Sequence, residues 1–147
     1  MQNTQINVAS VPFNYQRCIT SSCPVASSCL RSIAWRELRG DADRLTVLNP
    51  SLATETSECP YFVSNMPERY AVGFTGMQER MFPAQYERFM NICRAHFGRN
   101  GYFVRRRGEQ PLPPSEQRLV REALDRVGAS PDLDFDGYEE RVNWNGE

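Results

Sequence analysis

Four cysteines in the N-terminal part of the chain constrain its fold more than any other feature. Their spacing is C-x4-C-x5-C-x29-C, at Cys18, Cys23, Cys29 and Cys59. Proteins of reducing compartments rarely keep disulfides, so clustered cysteines there more often bind a metal or take part in catalysis. Four thiolates complete the tetrahedral shell of a structural zinc ion, and the same set can hold an iron–sulfur cluster. We expect a zinc site, with an iron–sulfur or thiol redox centre, or buried metal-free thiols, as alternatives.

The remaining side chains exclude several catalytic mechanisms. His96 is the single histidine, and no lysine is present, because all 17 basic residues are arginine. A P-loop and Schiff-base chemistry both need lysine, so neither is available. Cys93 lies within an apolar helical stripe and is expected to be a core residue, not a nucleophile paired with His96. Binding is therefore expected in preference to catalysis.

Length and hydropathy indicate one domain outside the membrane. At 147 residues a single domain is the usual outcome. No apolar stretch approaches the roughly 20 residues that a membrane helix needs. Residues Met1 to Ser10 lack both the basic and the apolar region of a secretory signal. A cytoplasmic location is expected.

Hydrophobic periodicity predicts a compact, helix-rich α+β domain with a few short strands and a Cys-rich N-terminal segment. We divide it into a Cys-rich part (1–62), a helical core (63–128) and an acidic C-terminal segment (129–147). Apolar spacing and capping residues predict four helices, which run from Ser27 or Ser28 to Arg39, from Glu68 to Arg80, from Pro83 to Phe97 and from Pro113–Ser115 to Val127. Short strands are predicted at Leu45–Leu48 and Tyr102–Arg106.

Positive charge is concentrated around two aromatic residues in the predicted strand. Residues 61–108 carry eight Arg and three Glu, whereas residues 109–147 carry four Arg and ten acidic residues. Guanidinium groups bind phosphate and stack on bases, which predicts a nucleic-acid or other anion-binding face. Its members are Arg99, Arg105, Arg106 and Arg107. The alternatives are a solvated strand edge, or two oppositely charged parts of the chain that pair with each other.

The acidic segment contains part of a calcium-binding motif. Asp132, Asp134 and Asp136 with Gly137 match the start of an EF-hand loop. Position 12 of that loop requires glutamate, but the position falls on Asn143. We expect an acidic turn and no calcium site.

Several short motifs along the chain also resemble a known family. They are Cys18, Cys23 and Cys29-Leu30-Arg31, Asn49-Pro50, Cys59-Pro60-Tyr61-Phe62, Phe97-Gly98-Arg99 with Tyr102, Arg106-Arg107-Gly108, and Glu116-Gln117. Together they resemble a family of uncharacterised bacterial proteins of about this length, defined as a domain of unknown function. The resemblance implies one cytoplasmic domain with a four-cysteine N-terminal half, and it implies no activity. The sequence thus predicts a small metal-binding module whose partner is a protein or a nucleic acid.

Overall fold

The computed structural model describes residues 6–54, 56 and 58–146, which divide into two compact units. The first, here the N-terminal unit, runs to Pro67 and includes Val142–Gly146. The second, here the helical unit, is Glu68–Arg141. The predicted α+β class is confirmed, because α-helices in the described residues are accompanied by a small antiparallel sheet. That the chain is one domain stays a prediction.

Helix α1, Leu30–Glu37, is the centre of the N-terminal unit. The short 3-10 helix Ala26–Ser28 precedes it, so the predicted helix is present but begins later and ends earlier than expected. Apolar residues one turn apart, Leu30, Ile33 and Ala34, are buried. Burial of this face supplies the main stabilisation of a helix too short to be stable alone.

A buried guanidinium ties the start of the chain to α1. The side chain of Arg17 donates hydrogen bonds to the carbonyl oxygens of Tyr15, Ala34 and Leu38, at 3.1, 3.3 and 3.4 Å. Carbonyl oxygens in the last turn of a helix carry partial negative charge, so a buried cation there is stabilising. The predicted strand at Leu45–Leu48 is wrong, because the structure has there only an isolated parallel bridge between Val47 and Arg17.

The helical unit contains α2, Pro83–Arg106, and α3, Pro114–Arg126. Strands β1, Pro67–Val72, and β2, Gly137–Val142, form its two-stranded sheet. Phe74 is at the centre of its core, where the rings of three other aromatic residues pack edge-on at 5.7–6.3 Å. Those residues are Phe89, Tyr102 and Phe135. In the described residues no helix is both long and apolar enough to cross a bilayer.

The predicted helix at Glu68–Arg80 is wrong. Its first part is strand β1, and its last part is a 3-10 helix over Thr75–Arg80. Gly73 separates the two at a φ of 76°, which an α-helix cannot contain. Phe74 and Met77, two apolar residues of this predicted helix, are nevertheless buried in one core cluster.

The predicted strand at Tyr102–Arg106 is also wrong, because these residues belong to α2. Gly98 interrupts that helix at φ 73° and ψ 170°, as the sequence predicts, but the chain then resumes a helical conformation. Aromatic and β-branched residues favour strands only weakly, and tertiary packing overrides that preference here. Tyr102 is fully buried against Phe74, and its hydroxyl lies 3.0 Å from that of Tyr86.

Candidate functional site

One cavity in the N-terminal unit is lined by all four N-terminal cysteines. Its volume is about 20 Å³, enough for about one water molecule, and we refer to it as the four-cysteine cavity. Cys29 is buried, and the other three cysteines are half-buried. All four are free thiols. The structure therefore brings together residues that are up to 41 positions apart along the chain.

The cysteines do not yet form a coordination shell. Within the described part of the chain, no three side chains of Cys, His, Asp or Glu lie close enough to hold a metal ion. The donor set is nonetheless the one that zinc and iron–sulfur clusters use, since both are bound by cysteine thiolates. Apolar side chains, including Val25, Leu48 and Phe62, complete much of the wall. A ligated metal in such a cavity would be partly shielded from water.

Two of the cysteines occupy the same kind of turn. Cys23 and Cys59 each precede a proline, and each carbonyl accepts a hydrogen bond from the amide three residues later. The distances are 3.2 Å from Ala26 N to Cys23 O and 3.0 Å from Phe62 N to Cys59 O. Proline is favoured at the second position of such turns because its φ is already close to the required value. The Cys-Pro pairs therefore position thiols at turns.

Hydrogen bonds to sulfur favour the thiolate at Cys59. Burial raises the pKa of the Cys59 thiol, but the hydrogen bonds outweigh burial and the pKa lies below its usual value. The donors are the backbone amide and hydroxyl of Thr54 and the backbone amides of Tyr61 and Phe62. A thiolate is the form that binds metals and acts as a nucleophile.

Cys29 is the N-cap residue of α1. Its carbonyl oxygen accepts the first helical hydrogen bond, from Ile33 N at 2.9 Å. Its side chain makes no capping hydrogen bond to the amides of the helix.

Cys93 lies outside the cavity. Burial in the core of the helical unit raises the pKa of its thiol to about 12. The expectation that Cys93 is a core residue is confirmed.

The four arginines of the predicted anion-binding face have different surroundings. Arg105 forms a two-pronged ion pair with Glu116, both distances being 2.9 Å. Arg106 donates to the Gln78 side chain at 2.5 Å, and Arg107 pairs with Glu109 at 2.7 Å. Arg99 is exposed. Their role in binding anions stays a prediction.

Two of these arginines do share a surface. Arg99 and Arg107, two helical turns apart, line an open groove with Asn100, Phe103 and Val104. We call this surface the Arg99–Arg107 groove. The helical conformation, not the predicted strand, brings the two cations and Phe103 to one side of α2.

The aspartates of the EF-hand-like segment are directed to separate partners in the helical unit. Asp132 pairs with Arg80, and Asp134 pairs with Arg121. Asp136 accepts hydrogen bonds from the backbone amides of Thr75 and Gly76. Each carboxylate has a local structural role.

Arg31 is a residue of the cavity that the chemical argument from the sequence did not single out. Its guanidinium lines the four-cysteine cavity and hydrogen-bonds to two backbone carbonyls. The sequence feature that could have identified Arg31 is its position two residues after Cys29, within the motif Cys29-Leu30-Arg31.

Comparison with known proteins gives a family but no activity. No curated protein and no solved structure matches the chain. The predicted resemblance to a domain-of-unknown-function family is confirmed, whereas the bacterial origin of its members and their four cysteines stay predictions. A family model matches residues 1–144, so the chain belongs to the family of unknown function DUF6078.

Proposed function

We propose that the four N-terminal cysteines bind a structural zinc ion and that the protein is a metal-stabilised binding module. The observation that carries the proposal is that all four line one cavity. Four thiolates around zinc form a closed tetrahedral shell, which leaves no open position for catalysis.

Local structure supports thiolate ligation at one of the four positions. Hydrogen-bond donors from Thr54, Tyr61 and Phe62 surround the sulfur of Cys59. Zinc–sulfur bonds are about 2.3 Å long, so ligation requires the thiols to move inward from their present positions. Turns and the ends of short elements are the parts of a fold that can make such adjustments.

Zinc content of a matched pair of variants tests the proposal. We expect about one zinc per chain in protein purified without a metal-affinity step, measured by elemental analysis. Cys59→Ser should lose the metal and unfold at a lower temperature, because metal-binding energy is also folding energy. Cys93→Ala is the control, since it removes a buried thiol outside the cavity and should keep the zinc. Metal-free wild-type protein, or equal zinc in both variants, would contradict the proposal.

An iron–sulfur or thiol redox centre is the second candidate, because free cysteine thiols such as the four that line this cavity also hold iron–sulfur clusters. Iron in the elemental analysis, together with visible absorption, would show that the cysteines hold an iron–sulfur cluster and not a zinc ion. Absence of both metals would leave a metal-free interaction domain with partly buried thiols.

The Arg99–Arg107 groove supports an anionic partner for the module, either a nucleic acid or an acidic protein surface. It combines two guanidinium groups with the ring of Phe103. Guanidinium groups pair with phosphate or carboxylate, and an aromatic ring offers a stacking surface for bases.

A further inference from the structure

Arg31 lies where three cysteine-bearing segments of the N-terminal unit meet. It is two residues after Cys29, in the first turn of α1, and its side chain lines the four-cysteine cavity. The backbone oxygen of Arg31 accepts a hydrogen bond from the amide of Cys18 at 3.1 Å. The backbone of Arg31 is therefore linked to two of the four cysteines, to Cys29 along the chain and to Cys18 by a hydrogen bond.

The guanidinium of Arg31 contacts the segment of Cys59 and, for a second time, the segment of Cys18. Its Nε donates to the carbonyl oxygen of Tyr61 at 2.8 Å, two residues after Cys59. Its Nη1 donates to the carbonyl oxygen of Gln16 at 2.9 Å, two residues before Cys18. This one side chain therefore links the segments that carry Cys18 and Cys59 to the helix that Cys29 caps. Only arginine offers several donors in a fixed planar arrangement that can make both bonds at once.

The charge of Arg31 is available to the cavity. Both described acceptors of its guanidinium are neutral carbonyls, and a guanidinium stays protonated at any physiological pH. The Tyr15 ring supports the group from one side, with its centroid 5.3 Å from Arg31 Cζ. Tyr15 is itself packed edge-on against Trp144, at a ring distance of 5.0 Å. Zinc with four thiolates has a net charge of about −2, which a fixed neighbouring cation would stabilise.

We infer that Arg31 is the positioning residue and counter-charge of the four-thiolate centre. The inference rests on the proposed function, because it assigns Arg31 a role towards the metal that the cysteines bind. Groups that orient metal ligands typically change affinity by about 10–100-fold when they are removed.

Metal affinity of Arg31 variants tests this role. Zinc affinity is measured by competition with a chromophoric chelator, and the geometry of the site by the absorption of the cobalt(II) form. Arg31→Met should bind zinc at least about 10-fold more weakly and change the thiolate–cobalt bands. Arg31→Lys, which restores the charge without the planar donor array, should recover part of the affinity. Arg36→Met is the control, because Arg36 lies on the same helix and donates to Ala26 O at 2.8 Å.

The outcomes separate this inference from the proposed function. Wild-type protein that binds neither zinc nor cobalt overturns both. Wild-type binding together with unchanged affinity and an unchanged cobalt spectrum in Arg31→Met overturns the role of Arg31 alone, even if that variant is less stable. Should Arg31→Met fail to fold, Arg31→Lys decides, since an affinity equal to that of the wild type would overturn the inference.

Discussion

Three arginine side chains of the N-terminal unit donate hydrogen bonds to backbone carbonyl oxygens. Arg17, Arg31 and Arg36 each donate to such oxygens. The described ion pairs, in contrast, join residues between positions 80 and 141 of the helical unit. Hydrogen bonds to carbonyls orient a guanidinium but do not neutralise it. The unit that contains the four thiols thus also holds fixed positive charge, which suits an anionic metal–thiolate centre.

A prediction at this scale concerns Gly73. A Cβ at this position would lie 2.9 Å from Asp136 Oδ2 and 3.3 Å from the carbonyl oxygen of Arg106, at a φ of 76°. The left-handed backbone costs a residue with a Cβ about 1–2 kcal/mol, and the contacts add to that cost. Gly73→Ala should therefore lower the free energy of unfolding more than Gly128→Ala, where φ is 69° and the space is open. Urea unfolding measures both, and equal losses would show that the contacts cost nothing.

At the scale of elements, the helical unit replaces local capping by contacts from distant residues. The 3-10 helix Thr75–Arg80 follows Phe74, which makes no side-chain capping hydrogen bond. The carboxylate of Asp136 supplies that cap, accepting from Thr75 N at 2.8 Å, Thr75 Oγ1 at 2.7 Å and Gly76 N at 3.1 Å. The position of this helix therefore depends on the segment that leads into β2.

This contact makes stability depend on pH. Burial raises the pKa of Asp136, but hydrogen bonds from Thr75 and Gly76 outweigh it and hold the pKa below its usual value. A lowered pKa contributes stability above the unfolded value of about 3.9, and that stability is lost as pH falls through the folded value. Asp136→Asn should cost about 1 kcal/mol at pH 7, because loss of a helix cap costs about that much.

The measurement is urea unfolding of wild type and Asp136→Asn at pH 7 and pH 3. The gap in the free energy of unfolding should narrow at pH 3, because this pH lies below the unfolded pKa of about 3.9 and the stability that the lowered folded pKa supplies is then being lost. Asp125→Asn, on the exposed side of α3, is the control and should change stability little. A gap of the same size at both values of pH would show that the carboxylate charge does not contribute.

For the whole molecule, the sequence predicts chemistry and helices better than it predicts contacts. The four cysteines that line the cavity follow from thiol chemistry, and α3 follows from the spacing of its apolar residues. Arg31 could not be assigned in this way, because its partners lie 15 and 30 positions away along the chain. The error at Tyr102 has a similar cause, since a partner distant in sequence, Phe74, holds it in a helix.

Charge distribution is the other property of the whole molecule that the structure clarifies. Three described ion pairs connect the basic stretch 61–108 to the acidic stretch 109–147, which supports the alternative that the two parts pair with each other. The bonds of Arg105 hold α2 against α3 and leave it little freedom to bind a ligand. In the Arg99–Arg107 groove, Arg107 pairs with Glu109 at the exposed surface, where such pairs are weak, and Arg99 has no described ion pair.

Retention on single-stranded nucleic acid tests that groove. Replacement of Arg99 and Arg107 together by Ala should weaken retention at low salt. The slope of log K against the logarithm of the salt concentration should also become shallower by about 1.4, since each lost phosphate contact with a single strand contributes about 0.7 to that slope. The charge-matched control replaces Arg118 and Arg126, both exposed on α3, by Ala. An equal loss in the control would show that net charge alone causes retention. Wild-type protein that is not retained at low salt would exclude nucleic acid and leave an acidic protein as the partner, because a guanidinium pair recognises carboxylates through the same two-pronged hydrogen bonds.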